Sequence, residues 1–154
     1  RVVRVVKMGI RSTVARSMDD EDLILPNALL AQGTVKNLTM IDDALRIKAT
    51  VSVAYESDLD AVKAILEKAA LQVPQRSRRR APVVLLQTFG DSGIDFATFL
   101  WVSDPWTAPR ARSELRLAIW RAFKDEDIVI PFPQVDMHVD PIRWADTPQS
   151  EPSA

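Results

Sequence analysis

Short runs rich in β-branched residues occupy the first 40 residues, and turn-forming residues separate the runs. Such runs between turn residues are typical of β-strands. The pattern predicts four strands, at residues 2–8, 13–17, 23–25 and 34–38. Four short strands of this kind indicate a small β barrel or sandwich over residues 1–40.

The turn between the second and third predicted strands is acidic, at residues 19–22. Charge runs of this kind are usually solvated, and the spacing lacks the pattern of a calcium-binding loop. Pro26 ends the third strand because proline has no N–H for a sheet ladder. Asn27 follows it and is suited to capping a short helical turn through Leu29 and Leu30.

The pattern changes at about residue 44. A strand at 46–53 precedes a helix that Ser57 and Asp60 open as a capping box. Strands at 83–89 and 94–102 form a hairpin. A second helix carries an apolar stripe from Ala111 to Phe123, and strand-like segments follow at 128–130 and 135–139. This order predicts a ferredoxin-like split βαβ domain over 44–140, followed by a Pro-rich, extended or disordered tail at 141–154.

Charge and composition exclude several classes of protein. The 154 residues include 20 basic and 21 acidic side chains, for a net charge of −1, and no cysteine. A nucleic-acid-binding protein normally carries a basic excess, so we expect no nucleic-acid partner. No apolar run approaches the roughly 20 residues of a membrane-spanning helix. The chain begins with a strand-like run and no initiator methionine, which indicates a fragment of a longer protein.

The sequence offers no catalytic or metal-binding constellation. His138 is the single histidine, and it has no cysteine or second histidine with which to share a metal. The glycines at 90 and 93 lack the spacing and the lysine of a phosphate-binding loop. We therefore expect neither an enzyme, nor a metal site, nor a cofactor.

Two features keep other functions open. Arginines cluster at positions 76, 78, 79 and 80, in a loop that is either simply solvated or in contact with anions. RNA-recognition domains share the ferredoxin-like order and stack bases on aromatic residues of a central strand. Phe96, Phe99 and Trp101 lie on the third strand of the predicted unit, but only Phe99 and Trp101 share a face by the two-residue period, and the remaining RNA-binding motif is missing. A free-standing module that binds RNA or a small ligand is one alternative, and an oligomerisation scaffold is another.

Four segments in order resemble the small-conductance mechanosensitive (MscS-type) channels. They are residues 11–27, with an acidic turn and Pro-Asn; 53–58, Val-Ala-Tyr-Glu-Ser-Asp; 89–94, Phe-Gly-Asp-Ser-Gly-Ile; and 130–139, which contains Pro-Phe-Pro-Gln-Val-Asp. The resemblance covers roughly residues 1–140. It implies an α+β chain in which a small all-β domain, an Sm-like or SH3-like barrel, is followed by a ferredoxin-like domain.

The resemblance also implies a function. In this family a ring of subunits, usually seven, places the β domains under the pore helices, and the αβ domains enclose a cytoplasmic chamber with side openings. Membrane tension opens the pore, and ions and small osmolytes leave through the chamber during hypo-osmotic shock. The chain is accordingly expected to be the cytoplasmic part of a bacterial inner-membrane channel and to form a homo-oligomer.

Six residues are singled out by the resemblance. Pro26 and Asn27 match the family's Pro-Asn, and Ala28 stands where several members have glycine; the three are expected to contact the pore helix during gating. Glu21, Asp42 and Asp43 fall near the side openings. A ring repeats each carboxylate once per subunit, so these residues are expected to favour cations there.

Overall fold

The computed structural model describes residues 2–39 and 44–133. It contains two antiparallel sheets of three strands each, one in each part of the chain, with two long helices in the second part. The predicted α+β class, a β part followed by an αβ part, is confirmed.

The first part is a meander of three strands and a short helix. The elements are β1 (Val3–Met8), β2 (Ser12–Ser17), β3 (Asp22–Pro26) and α1 (Asn27–Gln32), with sheet order β1-β2-β3. Thr13, Ala15 and Ser17 are buried along one face of the central strand β2. Three of the four predicted strands are therefore present in this sheet.

The prediction of a fourth strand at residues 34–38 is wrong. The side chain of Asn37 accepts a hydrogen bond from the backbone N–H of Thr39 at 3.0 Å, which closes a local turn. Such turns compete with strand pairing for the backbone groups. Within the described residues the β part is an open three-stranded sheet rather than a closed barrel.

The second part has the first five elements of a split βαβ unit. They are β4 (Leu45–Val53), α2 (Leu59–Leu71), β5 (Val83–Phe89), β6 (Ile94–Val102) and α3 (Ala108–Asp125), with a 3-10 turn (Pro105–Thr107) before α3. The sheet order is β4-β6-β5. The strand predicted at 135–139, like His138, lies outside the described residues.

Residues 128–130 do not form the predicted strand. A backbone hydrogen bond of 3.2 Å joins the N–H of Ala54 to the carbonyl of Val129, beyond the end of β4. Pro131 follows at once and has no N–H with which to extend a ladder. The segment therefore crosses the end of the sheet without pairing along it.

Both long helices pack on one face of the second sheet. The apolar stripe of α3 supplies Leu115 and Phe123, α2 supplies Leu66, and the strands supply Ile47 and Leu100. The first predicted helix begins one residue later than expected, because Asp58 rather than Ser57 is the N-cap. Its carboxylate accepts from the N–H groups of Asp60 and Ala61 at 3.0 and 3.2 Å.

Candidate functional site

The meander gives the first sheet two chemically different ends. The β1–β2 turn lies at one end and the β2–β3 turn at the other, as antiparallel pairing requires. Pro26 pairs with Ser12, so α1 starts at the end that holds the β1–β2 turn. We call that end the Asn27 corner (residues 8–11 and 26–29) and the opposite end the acidic end (residues 16–22).

The side chain of Asn27 fastens the corner together. Its Nδ2 donates to the carbonyls of Gly9 and Ile10 at 3.0 and 3.2 Å, and its Oδ1 accepts from the buried hydroxyl of Thr13 at 2.8 Å. The backbone N–H of Asn27 donates to the carbonyl of Arg11 at 2.9 Å. The prediction that Asn27 caps α1 is wrong: Pro26 occupies the N-cap position, and in the part of the chain that the structure describes no side chain caps the helix.

Large apolar side chains are exposed at the same corner. Ile10 at the tip of the β1–β2 turn is 99% exposed, Met8 is 72% exposed, and Leu29 in α1 is 62% exposed. Pro26 and Ala28 are exposed beside them. Apolar side chains gathered at one end of a domain are typical of a surface that another structure covers.

The acidic end is organised by the buried Ser17. Its hydroxyl accepts from the backbone N–H groups of Asp19 and Glu21 at 3.1 and 3.3 Å, and its own N–H donates to the carbonyl of Glu21 at 2.9 Å. Asp20 has a positive φ of 59°, as tight turns often require. The structure thus places Glu21 in an exposed turn, whereas Asp42 and Asp43 lie outside the described residues.

An ion pair flanks this turn. Nε and Nη2 of Arg16 donate to the two carboxylate oxygens of Asp22 at 2.9 and 3.3 Å. This hydrogen bonding, followed by the attraction between the charges, lowers the pKa of Asp22 and raises the pKa of Arg16. Asp22 therefore keeps its negative charge to a lower pH than an isolated aspartate.

Arg4 joins the acidic end to the αβ part. Its Nη2 lies 3.4 Å from Oδ1 of Asp104, and its guanidinium lies 4.7 Å from the ring centre of Trp106. Asp104 also accepts from the N–H of Trp106 at 2.9 Å, which caps the turn before α3. No local sequence pattern pointed to this contact, because its partners are 100 residues apart. The apolar corner is consequently at the end of the sheet opposite to this contact.

The aromatic residues considered for RNA binding do not act as one group. Phe96 is buried on the helix side of the second sheet. Phe99 and Trp101 lie on the open side, where Arg46 is 4.9 Å and Lys48 is 5.8 Å from the ring centre of Phe99, and Arg80 is 5.8 Å from that of Trp101. A base would have to displace these cations before it could stack on the rings.

Metal binding and membrane crossing are the next two properties of the described residues. Within residues 2–39 and 44–133, no group of three or more histidine, cysteine, aspartate or glutamate side chains is arranged to hold a metal ion. In the same ranges, none of the helices combines the length and the apolar character that crossing a membrane demands.

Comparison with protein families matches both parts of the chain. The model for the mechanosensitive ion channel β-domain matches residues 3–40, and that for the C-terminal region of the mechanosensitive ion channel MscS matches residues 47–130. The mechanosensitive channel MscK of Escherichia coli is 31% identical over 135 residues, which are 88% of this chain and 12% of MscK. An uncharacterized MscS family protein of Synechocystis is 31% identical over 136 residues, 88% of this chain and 45% of that protein.

Solved structures agree on the fold. The crystal structure of closed-state Helicobacter pylori MscS superposes with a TM-score of 0.77 at 23% identity, over 90% of this chain and 54% of that one. MSL1 of Arabidopsis thaliana gives a TM-score of 0.57 at 13% identity, over 80% of this chain and 46% of that one.

The fold and the two matched regions define the class: a β domain and an αβ domain of an ion channel. The chain belongs to the MscS family of mechanosensitive ion channels. The family is a class of channel and not a class of enzyme. The chain spans less than half the length of the curated relatives described here.

Proposed function

We propose that the chain forms the cytoplasmic vestibule of a tension-gated channel in a bacterial inner membrane, through which ions and small osmolytes leave during hypo-osmotic shock. This proposal rests on the difference between the two ends of the first β sheet. The Asn27 corner exposes Met8, Ile10 and Leu29, and the contact of Arg4 with the αβ part lies at the opposite end of the sheet. The corner is therefore free to meet a membrane-embedded region while the αβ part extends away from it.

In this proposal Pro26, Asn27 and Ala28 are the gating contact. The hydrogen bonds of Asn27 hold the exposed turn at Ile10 and the start of α1 as one rigid unit. A rigid unit transmits a displacement of a pore helix without absorbing it. We expect a loosened corner to change the recovery of the channel after closure more than its conductance, because small energy differences decide between two packed arrangements.

The oligomer and the portal charges are part of the same proposal. We take the assembly to be a homo-oligomeric ring, a heptamer as the resemblance implies, with residues 1–40 as its upper domain and 44–140 as its lower one. Glu21 supports a role at a side opening, since it is exposed at the end of the β sheet that faces the αβ part. Asp42 and Asp43 belong to the segment that connects the two parts, and we propose the same role for them.

A chimera tests this function. The chain replaces the matched region of Escherichia coli MscK, and the chimera is expressed in bacteria that lack their own mechanosensitive channels. We expect survival of hypo-osmotic shock to rise above that of cells carrying MscK with the region deleted. A chimera that reaches the membrane in normal amount yet leaves survival at the level of the deletion would contradict the proposal.

A further inference from the structure

A groove lies outside the features described so far, between the start of α2 and residues 126–132. Its volume is about 560 Å³. Val62, Ile65, Ile128 and Phe132 give it an apolar lining. Since the groove is open to solvent and lined by apolar side chains, an apolar group from another structure would gain free energy by entering it.

The rim of the groove is acidic. Four acidic residues also line the groove, Glu56, Asp58, Glu126 and Asp127, and all four are exposed. An apolar floor within an acidic rim favours an occupant that combines an apolar side chain with neighbouring cations.

The opposite end of α2 carries that combination. The basic loop, residues 76–80, holds four arginines, and both Arg78 and Arg79 are exposed. Leu71, the last residue of α2, is 49% exposed beside the loop. The same helix thus has an acidic groove at its start and an apolar, basic surface at its end.

The basic loop is fixed in place before it meets a partner. Nε of Arg76 donates to the carbonyl of Leu71 at 2.9 Å, and Arg76 forms an isolated bridge with Val102 at the end of β6. Ser77 is buried, and its N–H donates to the carbonyl of Trp101. A pre-organised loop loses little conformational entropy on binding, which favours association.

We propose that the acidic groove of one copy receives the basic loop of a second copy, with Leu71 against the apolar floor and Arg78 and Arg79 against the rim. The two surfaces cannot meet within one chain, because they lie at opposite ends of a helix of 13 residues, which spans roughly 20 Å. Each copy carries both halves, so the contact is head-to-tail and repeats from copy to copy. This inference rests on the proposed function in one respect: it takes the repeated head-to-tail contact to close into a ring.

Crosslinking from a single introduced thiol tests the contact. The sequence has no cysteine. Glu56→Cys in the full 154-residue chain therefore introduces a single thiol at the rim, and a photoactivatable group is attached to that thiol. We expect crosslinks to residues 71–80, and a mixture of isotopically labelled and unlabelled chains will show that they join different copies. Ser113→Cys, exposed on α3 and outside both surfaces, is the matched control.

Crosslinks from position 56 that map outside residues 71–80 would overturn the inference. Crosslinks from position 56 to residues 134–154 of the same chain would mean that the chain fills its own groove, and a yield no higher than the control would mean that the groove is empty. Rings whose crosslinks map elsewhere would refute this contact and leave the vestibule function standing. A two-fold dimer linked through position 56 of both copies would refute both.

Charge reversal gives a second, independent readout. In the Glu56→Cys chain, Glu126→Lys alone or Arg79→Glu alone should lower the crosslink yield at least about tenfold, since like charges then face each other. Both changes in one chain restore opposite charges at every contact, and the yield should recover. Loss in the single reversals without recovery in the combined chain would show that these charges do not act as a pair.

Discussion

The side chain of Asn27 makes three hydrogen bonds that join the turn after β1, the hydroxyl of Thr13 and the start of α1. Asn27→Ala removes all three and leaves the buried Thr13 hydroxyl without its acceptor. We expect the free energy of unfolding to fall by roughly 2–3 kcal/mol, because each net hydrogen bond contributes about 1 kcal/mol and an unpaired buried group adds to the loss. Urea denaturation measures this change.

Asn37→Ala is the matched control for Asn27→Ala. Asn37 is exposed, and among the described residues its amide oxygen accepts only from the nearby Thr39. We expect a far smaller loss of stability for this variant. Equal losses for the two asparagines would mean that the corner is not fastened by the side chain of Asn27.

The pair of Arg16 and Asp22 gives a pH-dependent prediction. The pKa of Asp22 is lowered by its hydrogen bonds and attraction to Arg16, so the pair stabilises the fold above the pKa of an unfolded aspartate. That stabilisation disappears as the pH falls through the lowered pKa of the folded state. Arg16→Leu should raise the pKa of Asp22 toward its ordinary value, as an NMR titration of its carboxyl carbon will show. An unchanged pKa would contradict the pairing.

At the scale of elements, Arg4 connects β1 to the turn that precedes α3. Arg4→Ala removes both the ion pair with Asp104 and the stacking on Trp106. Because the pair is exposed, we expect at most about 1 kcal/mol from each interaction. The change should appear as faster amide hydrogen exchange both in β1 and at the turn of Pro105–Thr107.

Lys7→Ala is the control for Arg4→Ala, since Lys7 is an exposed cation on the same strand. This variant should leave exchange at the turn before α3 unchanged. If Arg4→Ala affects only β1, or if Lys7→Ala has the same effect at the turn, then Arg4 does not couple the two parts.

Local periodicity was sufficient to predict most of these elements. The β-branched-rich runs of β1, β2 and β3 and the apolar stripe of α3 are patterns of neighbouring residues, so a short window of sequence reveals them. At the start of α2, Ser57 and Asp58 are both good caps, and the choice between them shifted the predicted boundary by one residue. The prediction of a strand at 34–38 failed because Asn37 closes a turn there instead.

The contacts of the candidate site were harder to predict, because they join distant residues. The partners of the Asn27 side chain are 14 to 18 positions away, and a capping role was the reasonable local interpretation. Arg4 and Asp104 are 100 positions apart. Pro26, Asn27, Ala28 and Glu21 were found through resemblance to a family, and the structure supplied their arrangement at opposite ends of one sheet.

At the scale of the whole molecule, the two sheets have different tasks in our account. The first sheet presents an apolar corner at one end and its contact with the αβ part at the other. The second sheet and its helices form the apolar core that supports this contact, and they carry the groove and loop through which we propose that copies join. Under this proposal, motion at the corner would pass through the αβ part to the proposed ring.

Electrical recording tests whether this chain serves as the vestibule of a tension-gated pore. The MscK chimera that carries the chain is recorded in excised membrane patches while suction is applied. We expect discrete channel openings that appear with rising tension and disappear when the suction is released. A chimera that is present in the patch membrane but shows no tension-dependent openings, while MscK itself opens under the same suction, would contradict this role.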